Sequence, residues 1–255
     1  MKATGISNNF EFLLPGNIAL LHGYQYKQMG CDIRIYEEID PMIDASTGDY
    51  RFKTHLCNGV EQEAKAYLIG KELTDLFRGA ACITSTLDYE DNPLQHITLQ
   101  GVIKNGKRIH YNEYPSEAPG LFQEMSRTIA PSAAHTKTFT GTPETLLIEK
   151  CKTDTALYAL LKYFSFEQNW VTLYRAYDTL NYIYKNDENL EKPFETSEAN
   201  RFRCSANNYV ITETSSRHGY QGEPEKKVSS TMTLREAQKF IRDACHEYVV
   251  GRLEE

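Results

Sequence analysis

From Trp170 to Tyr184 large apolar side chains recur every three or four residues: Trp170, Leu173, Tyr174, Tyr177, Leu180 and Tyr184. That spacing puts them all on one side of an α-helix. A stripe this heavy has to be covered, so the chain must build a packed helical part around it. The end of the chain supplies a partner. Thr233 and Glu236 stand at the spacing of a capping box, in which hydroxyl and carboxylate each satisfy a free backbone N–H at a helix start. Leu234, Ala237, Ile241, Ala244, Cys245 and Tyr248 form the apolar face of this last helix. Arg235, Lys239, Arg242 and His246 fall opposite them and are expected to make an outward basic stripe. Thr142-Pro143-Glu144 reads as another helix start. Leu146, Leu147, Leu157, Leu160, Leu161 and Phe164 carry the helical pattern onward, with a break near Thr153-Asp154. A further helix is expected from Ser197 to about Thr212.

Upstream the period changes. The first segment is polar and turn-rich, and Pro15-Gly16 breaks it. Ile33, Ile35 and Ile39 lie in a run from Cys31 to Asp40 that begins with apolar and polar residues alternating, the pattern of a half-buried strand. Asp44 to Gly48 reads as a loop, and Tyr50, Phe52 and Leu56 as the returning strand. A helix from about Val60 to Ile83 follows, with Asn58 as its expected N-cap. Gly70 and Gly79 weaken that helix, each by about 1 kcal/mol relative to alanine. Ile97, Leu99, Gly101 and Ile103 alternate again. Asn105-Gly106 is a strong two-residue hairpin signal, because both residues tolerate positive φ, and it predicts a hairpin from His96 to Tyr114. A prolines-rich stretch with a short helix near Leu121 to Arg127 closes this half.

The resulting expectation is an α+β chain. Residues 1–142 form a mixed part with antiparallel hairpins and one or two helices, and residues 143–255 a bundle of four or five helices able to fold as a unit. The bundle core should include Leu161, Trp170, Leu173, Tyr177, Leu234, Ile241 and Tyr248. With 255 residues, the chain suits one large domain or two modest ones. Its formal net charge of -7 argues against indiscriminate nucleic-acid binding, although a local basic patch remains compatible with it. Cys31, Cys57, Cys82, Cys151, Cys204 and Cys245 are widely and irregularly spaced, without the short ligand spacing of a zinc site. They read as buried free thiols in a cytoplasmic protein. No secretory signal, membrane-length apolar run or cofactor motif is present in the sequence, so no membrane attachment, metal or cofactor is expected.

Chemistry concentrates in one region. Ser205-Ala206-Asn207-Asn208 is followed by Ser215-Ser216-Arg217-His218-Gly219. Arginine binds phosphate bidentately and histidine exchanges a proton near neutral pH. Together they suffice for RNA cleavage, in which a base activates the 2′-hydroxyl and a cation stabilises the phosphorane. The plainer reading is that Arg217 and His218 complement the C-terminal end of a helix dipole.

From Leu160 to Leu253 the order of features resembles a bacterial family. It has an aromatic helix (Trp170, Leu173, Tyr174, Tyr177), then Ser205, Ala206 and Asn207, then Arg217, His218 and Gly219. A helix opening Met232, Thr233, Leu234 with Glu236 and Ala237 completes it. The layout also resembles the HEPN superfamily of small helical bundles, some of which are ribonucleases of toxin–antitoxin and antiviral systems while others only mediate binding. HEPN nucleases set an arginine several residues ahead of a histidine in one helix, whereas Arg217 and His218 are adjacent. The resemblance implies an RNA-directed protein of a bacterial defence or toxin-like system, with metal-independent ribonuclease chemistry at Arg217, His218 and Asn207. Arg203 and Arg242 would contact phosphate. The alternative is a non-catalytic sensor or adaptor within a multi-protein assembly. Expected partners are RNA and a protein, either a different one or a second copy of the chain.

Overall fold

The computed structural model describes residues 8–16, 19–25, 33–40, 42, 45–111, 113, 115, 141–187, 190–218 and 231–254. The expected α+β class is observed: a five-stranded antiparallel sheet in the N-terminal half and helices in the C-terminal half. The strands are β1 (Phe10–Leu14), β2 (Arg34–Asp40), β3 (Ala45–Lys53), β4 (Gly101–Lys104) and β5 (Lys107–Arg108), in the spatial order β2-β3-β1-β4-β5.

The segment read as turn-rich thus supplies the central strand. Phe10, Phe12 and Leu14 alternate inward along β1, and Phe12 lies opposite both Phe52 of β3 and Val102 of β4. The Phe12 and Phe52 rings stack at 4.8 Å. The loop expected at Asp44 to Gly48 is also revised. Ala45 and Ser46 pair with Asp40 and Ile39, and a register shift between Glu37 and Ile39 absorbs the irregularity. Asn105 and Gly106 have φ of 53° and 75°, as the hairpin turn requires. That hairpin is shorter than expected, because His96 belongs to a 3-10 turn, Pro93–His96, capped by the Asn92 side chain. The short helix expected near residues 121–127 lies outside the described residues.

After α1 (His22–Gln25), helix α2 (Glu63–Thr84) runs between the sheet and the helical half. It starts at Glu63, later than expected. Asn58 does not cap it; the Asn58 backbone N–H closes a 3-10 turn onto the His55 carbonyl instead. The two glycines explain how one helix serves both sides. A Cβ on Gly70 would run into the Phe12 ring, and one on Gly79 into the Leu161 carbonyl oxygen. Their intrinsic weakness in a helix is offset by close approach to the sheet on one face and to a bundle helix on the other.

The remaining helices are α3 (Pro143–Lys150), α4 (Thr155–Ser165), α5 (Trp170–Asn186), α6 (Thr196–Asn207), α7 (Tyr209–Thr212) and α8 (Leu234–Glu254). Their caps follow the sequence. Asp154 accepts from Leu157 N at 2.9 Å at the expected break, and Asn169 forms a capping box with Thr172. At the start of α8 the Thr233 N–H donates to Glu236 at 2.6 Å and the Glu236 N–H to Thr233 Oγ1 at 3.2 Å. The single helix expected from Ser197 to Thr212 is divided into α6 and α7. Of the expected bundle core, Leu161, Trp170, Leu173, Tyr177, Ile241 and Tyr248 are buried. Leu234 is not: it opens the first turn of α8 and is 37% exposed.

One continuous hydrophobic core runs from Phe10 through α2 to Val249, so the two halves differ in secondary structure yet share their interior. Cys57, Cys82, Cys151 and Cys245 lie within it, and burial pushes the Cys57 and Cys82 thiols up to about 12. Cys204, on the solvent side of α6, is exposed, contrary to the expectation of a buried thiol. Among the described residues no helix is long and apolar enough to cross a membrane.

Candidate functional site

An aromatic cluster fixes the end of the bundle where the predicted residues gather. Phe202 of α6 is fully buried, with the rings of Trp170, Tyr174 and Tyr177 from α5 and Phe240 from α8 within 6.0 Å of its centroid. This packing sets the α6 C-terminus, Asn207, against Tyr174. The Asn207 side-chain amide donates to the Tyr174 hydroxyl at 3.5 Å, while its Oδ1 is buried without a hydrogen-bond partner among the described residues.

The chain then reverses. Glu213 takes a left-handed φ of 50°, uncommon for a residue with a side chain, and Arg217 returns to α6. Its backbone N–H donates to the Ala206 carbonyl at 2.9 Å. That contact satisfies a carbonyl of the last helical turn, which is the plain capping role considered for this segment. The side chain does something else. The Arg217 guanidinium carbon lies 3.6 Å from the centroid of the Tyr174 ring, well inside cation–π range. About a third of the side chain, 33%, stays in solvent.

Asp178, one turn beyond Tyr174 on α5, completes the arrangement. Its Oδ2 is 4.0 Å from an Arg217 nitrogen. Partial burial raises the Asp178 pKa, while the charges of Arg217 and Arg203 pull it the other way. Burial outweighs the two charges. Arg203 itself is exposed on α6.

The structure therefore brings Asn207 and Arg217 onto Tyr174 with Asp178 beside Arg217, and the charge of Arg203 acts on the same carboxylate. His218 follows Arg217 in the chain and is exposed, with no hydrogen bond or ion pair among the described residues. Arg242 belongs elsewhere. Its guanidinium donates to the Leu87 carbonyl and sits 3.2 Å from Asp243 and 3.8 Å from Asp88, and its side chain is only 11% exposed. His246 Nδ1 lies 3.0 Å from the Ile83 carbonyl, in the last turn of α2. Arg242 and His246 of the stripe expected to point outward thus turn onto the end of α2 and the loop after it, whereas Arg235 and Lys239 are exposed as expected, at 61% and 63%. Arg235 reaches the same loop through Asp88 at 2.8 Å. Neighbouring motif residues are structural too. Ser205 Oγ accepts the Met232 N–H at 2.7 Å, and Arg201 donates to the Thr231 carbonyl at 2.9 Å, tying α6 to the start of α8.

Tyr174 and Asp178 were missed as site residues. Tyr174 reads as core in the aromatic stripe, and its ring is indeed buried on one face while the other carries Arg217. Asp178 stands four residues after Tyr174, so it shares that side of α5, which is the signal available in the sequence. A separate hollow of about 410 Å³ is lined by Asp154, Tyr184, Asp187, Glu191, Glu247 and Arg252 among others. Its carboxylates outnumber its one cation, which makes it unsuited to phosphate. No family model, curated protein or solved structure matches this chain.

Proposed function

We propose that this chain is an RNA-directed protein that holds the phosphate backbone at the Arg203–Arg217 surface. The observation that carries the reading is the Arg217 guanidinium held over the Tyr174 ring, its carbon 3.6 Å from the centroid, with 33% of the side chain in solvent. A planar cation fixed in this way presents its N–H groups in a set direction, and two of them match the oxygens of one phosphate. The aromatic face removes freedom that a mobile arginine would lose on binding. Arg203, exposed on α6, adds a second charge whose field reaches Asp178 as that of Arg217 does. The net charge of -7 makes long-range attraction weak, so contact depends on this local patch.

The resemblance to HEPN domains supports a further step, ribonuclease action in a defence or toxin-like setting. There His218 would take the 2′-hydroxyl proton and Arg217 would stabilise the phosphorane. A sensor or adaptor role has one observation in its favour. Tyr182, one turn beyond Asp178 on α5, is 68% exposed, and tyrosine is enriched at protein interfaces.

Fluorescence anisotropy with an end-labelled single-stranded RNA in EDTA tests the reading. Wild type should bind, with affinity falling as salt rises. The Arg203→Ala/Arg217→Ala double variant should bind at least about tenfold more weakly, with a salt slope shallower by about 1.4 for two lost phosphate contacts. Arg235→Ala, which removes an exposed arginine elsewhere, should leave binding unchanged. Undiminished binding by the double variant, folded by circular dichroism, overturns the site. Gel analysis of the same samples decides cleavage: RNA cut by wild type and spared by His218→Ala supports the ribonuclease step, and RNA left intact by both removes it.

A further inference from the structure

We infer that Asp178 is an intramolecular competitor for the cations that RNA phosphate would occupy, so that it limits affinity at this surface. The inference rests on the RNA-directed reading above. At 4.0 Å the Asp178–Arg217 approach is too long for a hydrogen bond, and the two side chains are 57% and 33% exposed. Asp178 is therefore not what holds Arg217 in place. The Tyr174 ring and the backbone bond to Ala206 already do that. What Asp178 contributes is a negative charge at the point a phosphate oxygen has to approach, within the influence of Arg203 as well.

A phosphate arriving at Arg217 meets repulsion from this carboxylate and has to displace it. The displacement is feasible because more than half of the Asp178 side chain is in solvent and it can rotate away. Like charges set side by side at a contact are a common means of discouraging weak ligands. Here the effect is to favour a strand that engages both arginines at once over a single small anion that engages one.

Asp178→Asn keeps the size and hydrogen-bonding capacity of the side chain and removes its charge. In the same anisotropy titration it should tighten RNA binding by roughly two- to fivefold at low salt, the range for one exposed charge contact. The gain should shrink as salt rises. Asp178→Glu, which retains the charge, should stay near wild type. Asp49→Asn, on the exposed side of β3, makes the same change in net charge away from the patch and should also stay near wild type. If wild type binds through Arg203 and Arg217 but Asp178→Asn binds no more tightly, or if Asp49→Asn gains as much, the inference is overturned and the RNA reading stands. If neither wild type nor Asp178→Asn binds RNA, the reading itself fails and the inference falls with it.

Discussion

Gly79→Ala should destabilise this protein, although the same change inside an exposed helix stabilises by about 1 kcal/mol. The new methyl group would be driven into the Leu161 carbonyl oxygen of α4, and the Leu161 Cα and carbonyl carbon are close behind. These are backbone atoms in a hydrogen-bonded helix, so they cannot swing aside as a side chain can. α2 and α4 would have to separate, disturbing a core in which Leu76, Ala80 and Ile83 of α2 and Leu157, Leu160 and Leu161 of α4 are buried. Overpacking of this kind costs about 1–3 kcal/mol, and separation of two long helices puts this case at the upper end. Gly251→Ala is the matched control, because among the described residues nothing lies within 4 Å of its added methyl on α8. Urea denaturation should show a lowered midpoint for Gly79→Ala and an unchanged or raised one for Gly251→Ala. A stabilised Gly79→Ala would mean that α2 and α4 are not pressed together.

A chain beginning at residue 143 should fail to melt cooperatively. Its caps and apolar stripes suggest an independent bundle, but α2 closes that bundle's interior, packing against α3, α4 and α8. Removing it uncovers the buried faces of all three. It also strands Lys162, which contacts Glu72 at 2.9 Å and Asp75 at 3.1 Å, and leaves Tyr158 without its Glu72 partner. The truncated chain should retain helical circular dichroism, bind a hydrophobic dye and show no sharp thermal transition. A sharp transition would show that the helices complete their own core.

These two results bear on what a sequence discloses. Local chemistry was legible: the Thr233–Glu236 box, the Asn105-Gly106 turn, the break near Thr153-Asp154 and the α5 stripe all appear as read, because each depends on neighbours in the chain. Long-range pairing was not. β1 is short and follows a polar start, and its partners β3 and β4 lie far along the chain, yet Phe10, Phe12 and Leu14 carried the alternation of a strand. Gly70 and Gly79 look like weaknesses until the Phe12 ring and the Leu161 carbonyl are placed against them. Periodicity identified the polar face of α8 correctly but could not say whether it meets water or the acidic loop after α2. At the site, the unusual composition around Asn207 and Arg217 marked the segment that folds back onto α6 and Tyr174. The stacking of Arg217 on Tyr174 stayed hidden because a ring in an apolar stripe reads as core, and half of this ring serves as a platform.

The location of bound RNA tests the central claim most directly. Photocrosslinking of the whole protein to a 4-thiouridine-substituted single strand, followed by peptide mapping, reports which segments the strand touches. The account predicts crosslinks in the peptides carrying Tyr174 to Tyr182 and Arg203 to His218, lost together in the Arg203→Ala/Arg217→Ala variant. Crosslinks confined to the sheet or to the acidic hollow beside Tyr184 and Tyr248, unchanged in that variant, would contradict it.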